Sequence, residues 1–248
     1  MRYMHTVSRR RLHALARQDR QESYGLQPET PTRRPVSSSA PLSVASNIAS
    51  SSSSPVTQHL NGVFKPLEFP PDVALRILTH LSHKDALAGH NARFSFMGRR
   101  VLDSYLLLFL HSLPASLISR YDYERTSERV INSYVLGEHV APQWGLPSVM
   151  RWSPAQFIEE GRHLGPKELR SVGLHKVAGT TVEAVMGGIF HQFGGSVAHR
   201  VFHTRLLPHI MLPGQPEGLP DPLHKHAQAA CEKMGGVSGP LLVAEGKR

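Results

Sequence analysis

Between residues 70 and 207, apolar side chains keep returning at threes and fours, the spacing that lines one face of a helix. Val73, Ile77 and Leu81 follow Pro70-Pro71-Asp72, a helix start with an apolar stripe behind it, ending near residues 80–83. A longer helix is predicted over 91–112, with Phe94, Met97, Val101, Tyr105 and Leu108 on its apolar side. Residues 105–110 thicken into an all-round apolar patch, but Arg99, Arg100, Asp103 and His111 bound it. The uncharged run is too short for a bilayer, so the segment reads as a buried core helix. Gly98 in its middle weakens a helix by about 1 kcal/mol relative to Ala, which points to another element approaching closely.

Pro114 opens the next helix, and 122–136 forms another, with Val130, Ile131, Tyr134 and Val135 apolar. Gly137 is expected as its left-handed cap, and 138–141 as a short continuation before Pro142 and Gly145. Ser153 as N-cap and Pro154 in the first turn start a helix running to Gly161, with Phe157 and Ile158 inward and Glu159 and Glu160 outward. A second long helix is predicted over 175–193, its apolar side Val182, Val185, Met186, Ile189 and Phe190. Its Gly187-Gly188 pair again implies tight packing, Gly194-Gly195-Ser196 breaks and recaps, and a last helix covers 197–207. The predicted fold class is all-α.

The flanks read differently. Residues 37–54 contain ten Ser in eighteen, with prolines at 31, 35, 41 and 55. Such a stretch buries too little apolar surface to offset its ordering entropy, so 31–65 is expected to be a disordered linker and the folded domain, 66–207, to begin near Pro66. Residues 208–248 are rich in Pro and Gly and are expected to be extended, with one short helix over 224–234. Residues 1–18 hold five Arg and no acid, the composition of a mitochondrial targeting segment, assigned here to 1–30. A basic RNA-binding arm has the same composition.

Charge changes the picture less than it first promises. The formal net charge is +9, but residues 1–60, with eight Arg against three acids, supply +5 of it. A polyanionic partner therefore cannot be argued from net charge alone. Cys231 is the sole cysteine, which excludes an internal disulfide framework and a CxxC zinc site and suits a reducing compartment. Among sixteen His, the pairs His80/His83 and His224/His226 have no compelling third ligand, so no metal and no cofactor is expected.

Two segments carry a resemblance. Residues 91–99 read Asn-Ala-Arg-Phe-Ser-Phe-Met-Gly-Arg, and 180–188 read Thr-Thr-Val-Glu-Ala-Val-Met-Gly-Gly. They are similar to the N-E-R-L-E-F-L-G-D and D-T-V-E-A-L-I-G-G segments of the ribonuclease III endonuclease domain. The apolar positions, the glycines, Asn91 and Arg93 match, and Leu78-Thr79-His80 with Ser82 matches the family's T-H-x-S pattern. The family's acidic positions fall on Ala92, Ser95, Arg99, Thr180 and Glu183, of which Glu183 alone is an acid. Magnesium wants oxygen ligands in near-octahedral geometry, usually with carboxylates among them. Positions 92, 95 and 99 share one helix face, and 180 and 183 share another. An ion pair between the permanently charged Arg99 and Glu183 is therefore expected in place of a metal site, and catalytic inactivity with it.

The resemblance implies more. In the family, two such domains pair across a pseudo-twofold axis through the first helix, making Phe94, Met97, Gly98, Val101 and Tyr105 candidates for a dimer interface; packing within one subunit is the alternative. Family members usually append a double-stranded RNA-binding domain, and the 41 residues after Leu207 are too few for one. The combination looks like the ribonuclease III-like structural proteins of fungal mitochondrial large ribosomal subunits. That implies a heterodimer with a second ribonuclease III-like ribosomal protein, contact with mitochondrial rRNA and other large-subunit proteins, and no membrane. Candidates for phosphate contacts, which position a protein without reading sequence, are Arg99, Arg100, Arg162, Lys167, Arg170 and Lys176. Two rivals stand beside this reading: a metal-dependent endoribonuclease drawing acids from Asp103, Glu128 or Glu138, and an assembly factor that leaves the mature particle.

Overall fold

The computed structural model describes residues 54–154 and 165–242, all within one unit of the chain spanning residues 50–248. Nine α-helices are described: α1 (Pro55–Val63), α2 (Pro71–Leu78), α3 (Ala92–His111), α4 (Ala115–Ile118), α5 (Tyr123–Val130), α6 (Ser133–Val135), α7 (Pro166–Ser171), α8 (Leu174–Val201) and α9 (His224–Lys233). Among the described residues there is no β-strand, only one isolated parallel bridge between Thr79 and Arg151. The fold class is all-α, as the periodicity predicts.

The architecture is built on the crossing of α3 and α8. Helix α8 is buried on nearly every side over 177–189, with Val182, Ala184, Val185, Met186 and Ile189 fully enclosed. A helix apolar all round belongs in the middle of a domain, and α2, α3, α6, α7 and the 136–140 segment surround this one. No helix among the described residues is long and apolar enough to cross a membrane.

Four sequence expectations need correction. The linker assigned to 31–65 is helical from Pro55: Ser54 caps α1, accepting from the Thr57 amide at 3.4 Å, and Leu60 and Phe64 are fully buried. Phe64 meets Trp144 edge-to-face at 5.0 Å, so the fold begins well before Pro66. The buried face of α3 runs through Phe94, Gly98, Val101, Leu102, Leu106 and Phe109, while Leu108 is exposed. The helix expected over 122–136 breaks after Val130 and restarts at Ser133, where the Asn132 side chain accepts from the Tyr134 amide at 2.9 Å. Gly137 is not a left-handed cap. It lies inside a π turn, Leu136–Val140, where an added Cβ would collide with the His175 carbonyl of α8.

Two further expectations match in position, and a fifth does not. Gly194 takes φ 84° and kinks α8, and the chain continues helically through Val201 and a second π turn, Phe202–Leu206. Helix α9 lies where a short C-terminal helix is predicted, but the segment expected as an extended tail beyond residue 207 is part of the domain, with Leu219, Leu223, Ala227 and Leu241 buried in its core. The helix expected after Pro154 lies outside the described residues, as does the targeting segment.

Candidate functional site

Backbone proximity makes the site. An added Cβ at Gly98 would collide with the Glu183 carbonyl oxygen, and one at Gly187 with the Phe94 carbonyl oxygen. Glycine at both positions lets α3 and α8 touch main chain to main chain, which brings the side chains flanking the seam face to face. One turn before Gly98 the Ser95 hydroxyl donates to Glu183 Oε2 at 2.8 Å. Arg99 Nε donates to Glu183 Oε1 at 3.2 Å, and the Ser133 hydroxyl donates to the same oxygen at 3.0 Å. Arg99 Nη2 in turn donates to Ser133 Oγ at 3.0 Å. The Glu183 carboxylate, on a residue only 3 % exposed, is thus held by two hydroxyls and a guanidinium from α3 and α6.

These groups border a cleft of about 420 Å³, with Asn91 and Ala92 on its α3 side and Lys176 and Thr180 on its α8 side. His80 also reaches it; burial, with a contribution from nearby His90, lowers its pKa and keeps the imidazole neutral. The five positions singled out by sequence therefore meet in one place. Thr180 turns its hydroxyl back to the Lys176 carbonyl at 3.0 Å, leaving Ser95, Arg99 and Glu183 as the interacting set.

Sequence reasoning missed Ser133. It precedes Glu183 by fifty residues and no local pattern marks it; its place follows from Gly179, where a Cβ would collide with the Ser133 carbonyl. Asn91, which matches the first motif without a role predicted for it, lies in the cleft wall.

The metal implied by the resemblance does not fit this donor set. One carboxylate lines the cleft, both its oxygens already accept hydrogen bonds, and a permanent cation lies against it. Among the described residues no three His, Cys, Asp or Glu side chains gather as a metal ion would need. None of the acids proposed as substitutes lines the cleft: Asp103 accepts from Ser127 at 3.0 Å, Glu138 pairs with Arg170 at 2.6 Å, and Glu128 is exposed.

The cationic candidates scatter. Arg99 and Lys176 share the cleft. Arg100 is exposed, its guanidinium 5.5 Å over the Phe96 ring. Arg170 is committed to Glu138; that hydrogen bond raises the pKa of the arginine and lowers that of the acid. The Lys167 side chain and all of Arg162 lie outside the described residues.

The dimer candidates divide as well. Met97, Val101 and Tyr105 line an apolar groove of about 450 Å³ together with Phe96 and Phe190, and Arg93 and Arg100 border it. Phe96 is 67 % exposed there. Gly98 is used inside the subunit against α8, and Phe94 is buried beside it, so neither is available to a partner. The Tyr105 hydroxyl donates to the Gly195 carbonyl at 2.7 Å, and burial raises its pKa.

Comparison with known proteins gives a family and several partial likenesses. A family model described as ribonuclease-III-like matches residues 70–210. The large ribosomal subunit protein mL57 of Neurospora crassa is 23% identical over 150 residues, 54% of this chain and 53% of that protein. The chain thus spans about half the length of this curated relative. Among solved structures, the nuclease domain of ribonuclease III from Campylobacter jejuni aligns with a TM-score of 0.45 and 18% identity, over 58% of this chain and 88% of that one. A second structure of that domain, described as flexible in a region involved in dimer formation, gives 0.46 and 16% over 61% and 96%.

Proposed function

Since the chain belongs to the ribonuclease-III-like family, we propose that it uses that scaffold without the nuclease chemistry, as a structural component of the mitochondrial large ribosomal subunit. The observation that carries this reading is the Glu183 carboxylate, enclosed by Ser95, Ser133 and Arg99 where the family's metal ligands would converge. A hydrolase of this kind activates water on a divalent ion; here the charge opposite the acid is a guanidinium that can bind neither water as a nucleophile nor a leaving oxygen as a Lewis acid. The ribosomal placement is supported by the mL57 relative, and the mitochondrial one by the Arg-rich, acid-free first eighteen residues.

The groove with Phe96 at its edge supports pairing with a second domain of the same family. Contacts with rRNA would come from exposed cations such as Arg100 and Lys176, whose phosphate bonds position the protein without sequence readout. The test has two parts. The tagged chain, recovered from mitochondria, is expected to cosediment with large subunits in high salt, and the purified chain to leave duplex RNA intact in magnesium. Cleavage that Glu183→Ala abolishes would refute the non-enzymatic reading. Association confined to precursor particles would make the chain an assembly factor.

A further inference from the structure

Asn91 poses a problem that the ion pair does not solve. The residue is 1 % exposed, its amide Nδ2 has no hydrogen-bond partner, and it lines the cleft. Buried polar groups in folded proteins are nearly always paired, so an orphaned donor in a cavity wall points to an acceptor that arrives from outside. The rest of the wall says what kind. Arg99 directs Nε and Nη2 to Glu183 and Ser133, two of the five N–H donors of a guanidinium. Lys176 stands exposed at the rim with an ammonium group. The twenty-residue helix α3 begins at this cleft, bringing the positive end of its dipole. The opposing charge is Glu183, whose two oxygens are covered by the hydroxyls of Ser95 and Ser133 and by Arg99.

We propose that the cleft between α3 and α8 is a phosphate site, in which Asn91, Arg99 and Lys176 bind a phosphoryl group without any metal. The sign of the bound charge is inverted relative to a divalent-ion centre on the same scaffold. Two sources share this chemistry: a phosphodiester of an RNA backbone, and free phosphate. The proposal rests on the cleft being unfit for a metal, not on the ribosomal assignment.

Titration of inorganic phosphate into the 248-residue chain, followed by calorimetry and by the melting temperature, tests it. Saturable binding with a rise in Tm is expected, weakened about tenfold by Asn91→Asp and by Lys176→Gln. Lys176 is a surface residue, so its variant stays informative should the buried Asn91→Asp change fail to fold. Displacement of phosphate by a short RNA duplex identifies the backbone as the source, and its absence identifies the free anion; either supports the site. Binding that is unchanged in Lys176→Gln and in any folded Asn91→Asp protein means an adventitious ion only and overturns the proposal. So does saturable magnesium binding that Glu183→Gln removes. Cosedimentation with ribosomal subunits is read separately, so either conclusion can fall alone.

Discussion

Glu183 belongs to two regions that follow different rules. Its main-chain carbonyl is part of the seam, where Gly98 admits no side chain because α3 and α8 touch. Its carboxylate is part of the cleft, held by side chains whose identity is negotiable provided each polar group finds a partner. The seam is fixed by backbone geometry; the cleft is fixed only by hydrogen-bond bookkeeping. A scaffold of this kind can change the side chains at positions 92, 95 and 99 without losing its fold, because nothing in the seam depends on them.

The sharpest way to break this contrast is Gly98→Ala. The new Cβ meets main-chain atoms of Glu183, which have no rotamer to escape into. A loss of about 3 kcal/mol or more is expected, a fall in Tm on the order of 10 °C. Urea unfolding measures it directly, and a cost below that of removing the Glu183 carboxylate would erase the distinction.

Beyond the Gly194 kink, the same polypeptide carries a contact of a third kind. His203 is buried between Phe109, Phe202 and His199, its Nε2 3.1 Å from His199 Nε2. Burial, with a contribution from His199, pushes its pKa from 6.5 down to about 4, and His199 moves in the same direction by burial and the nearby Arg200. The unfolded chain therefore takes up the proton first as pH falls. Stability from neutral His203 is complete above pH 6.5 and declines toward pH 4, by on the order of 3 kcal/mol. Unfolding free energy measured across that window is expected to slope upward with pH, and His203→Leu to flatten the slope. An unchanged slope would mean that side-chain burial past the kink is looser than in the seam.

Within the cleft, Glu183→Ala is expected to cost about 2 kcal/mol, chiefly because the buried Ser95 hydroxyl loses its acceptor. The Arg99 contribution is small, since that side chain is half exposed and water replaces the carboxylate. Glu183→Gln keeps the shape and one acceptor oxygen and is expected to recover more than half of the loss in the same urea experiment. If Gln were as costly as Ala, charge rather than hydrogen bonding would hold the cleft.

How much of this was legible depended on whether a feature is local. Helices α3 and α8 could be read because their apolar spacing and their internal glycines lie within each segment. The meeting of Ser95, Arg99 and Glu183 could be read because two motifs carried it. Ser133 could not, because its position is set by α6 pressing on Gly179, a tertiary contact with no trace in the sequence around it. A glycine that lets two backbones approach, as Gly137 does against His175, looks in one dimension like a glycine that ends a helix. Apolar spacing alone puts Leu108 on the inner face of α3, because it does not separate the buried side of the helix from its exposed apolar side. Helix α1 was hidden by the serine run that precedes it, although Ser54-Pro55 is itself a proper helix start.

The smallest effect tests the contrast from the opposite side. Gly62 lies in α1, exposed, with no atom within 4 Å of where a Cβ would stand. Unlike Gly98, it has no contact that requires a glycine, and its helical backbone suits alanine. Gly62→Ala is therefore expected to stabilise the protein by about 0.5–1 kcal/mol, by lowering the entropy of the unfolded chain and favouring the helix. The gain exists only if α1 folds together with the core, as the burial of Leu60 and Phe64 requires. A protein in which residues 54–63 were unattached would show the same urea midpoint with Gly or Ala at position 62. Equal midpoints would return this segment to the linker, whereas a higher midpoint for Ala, set beside the collapse expected at Gly98, would show the same substitution taking opposite signs on and off the seam.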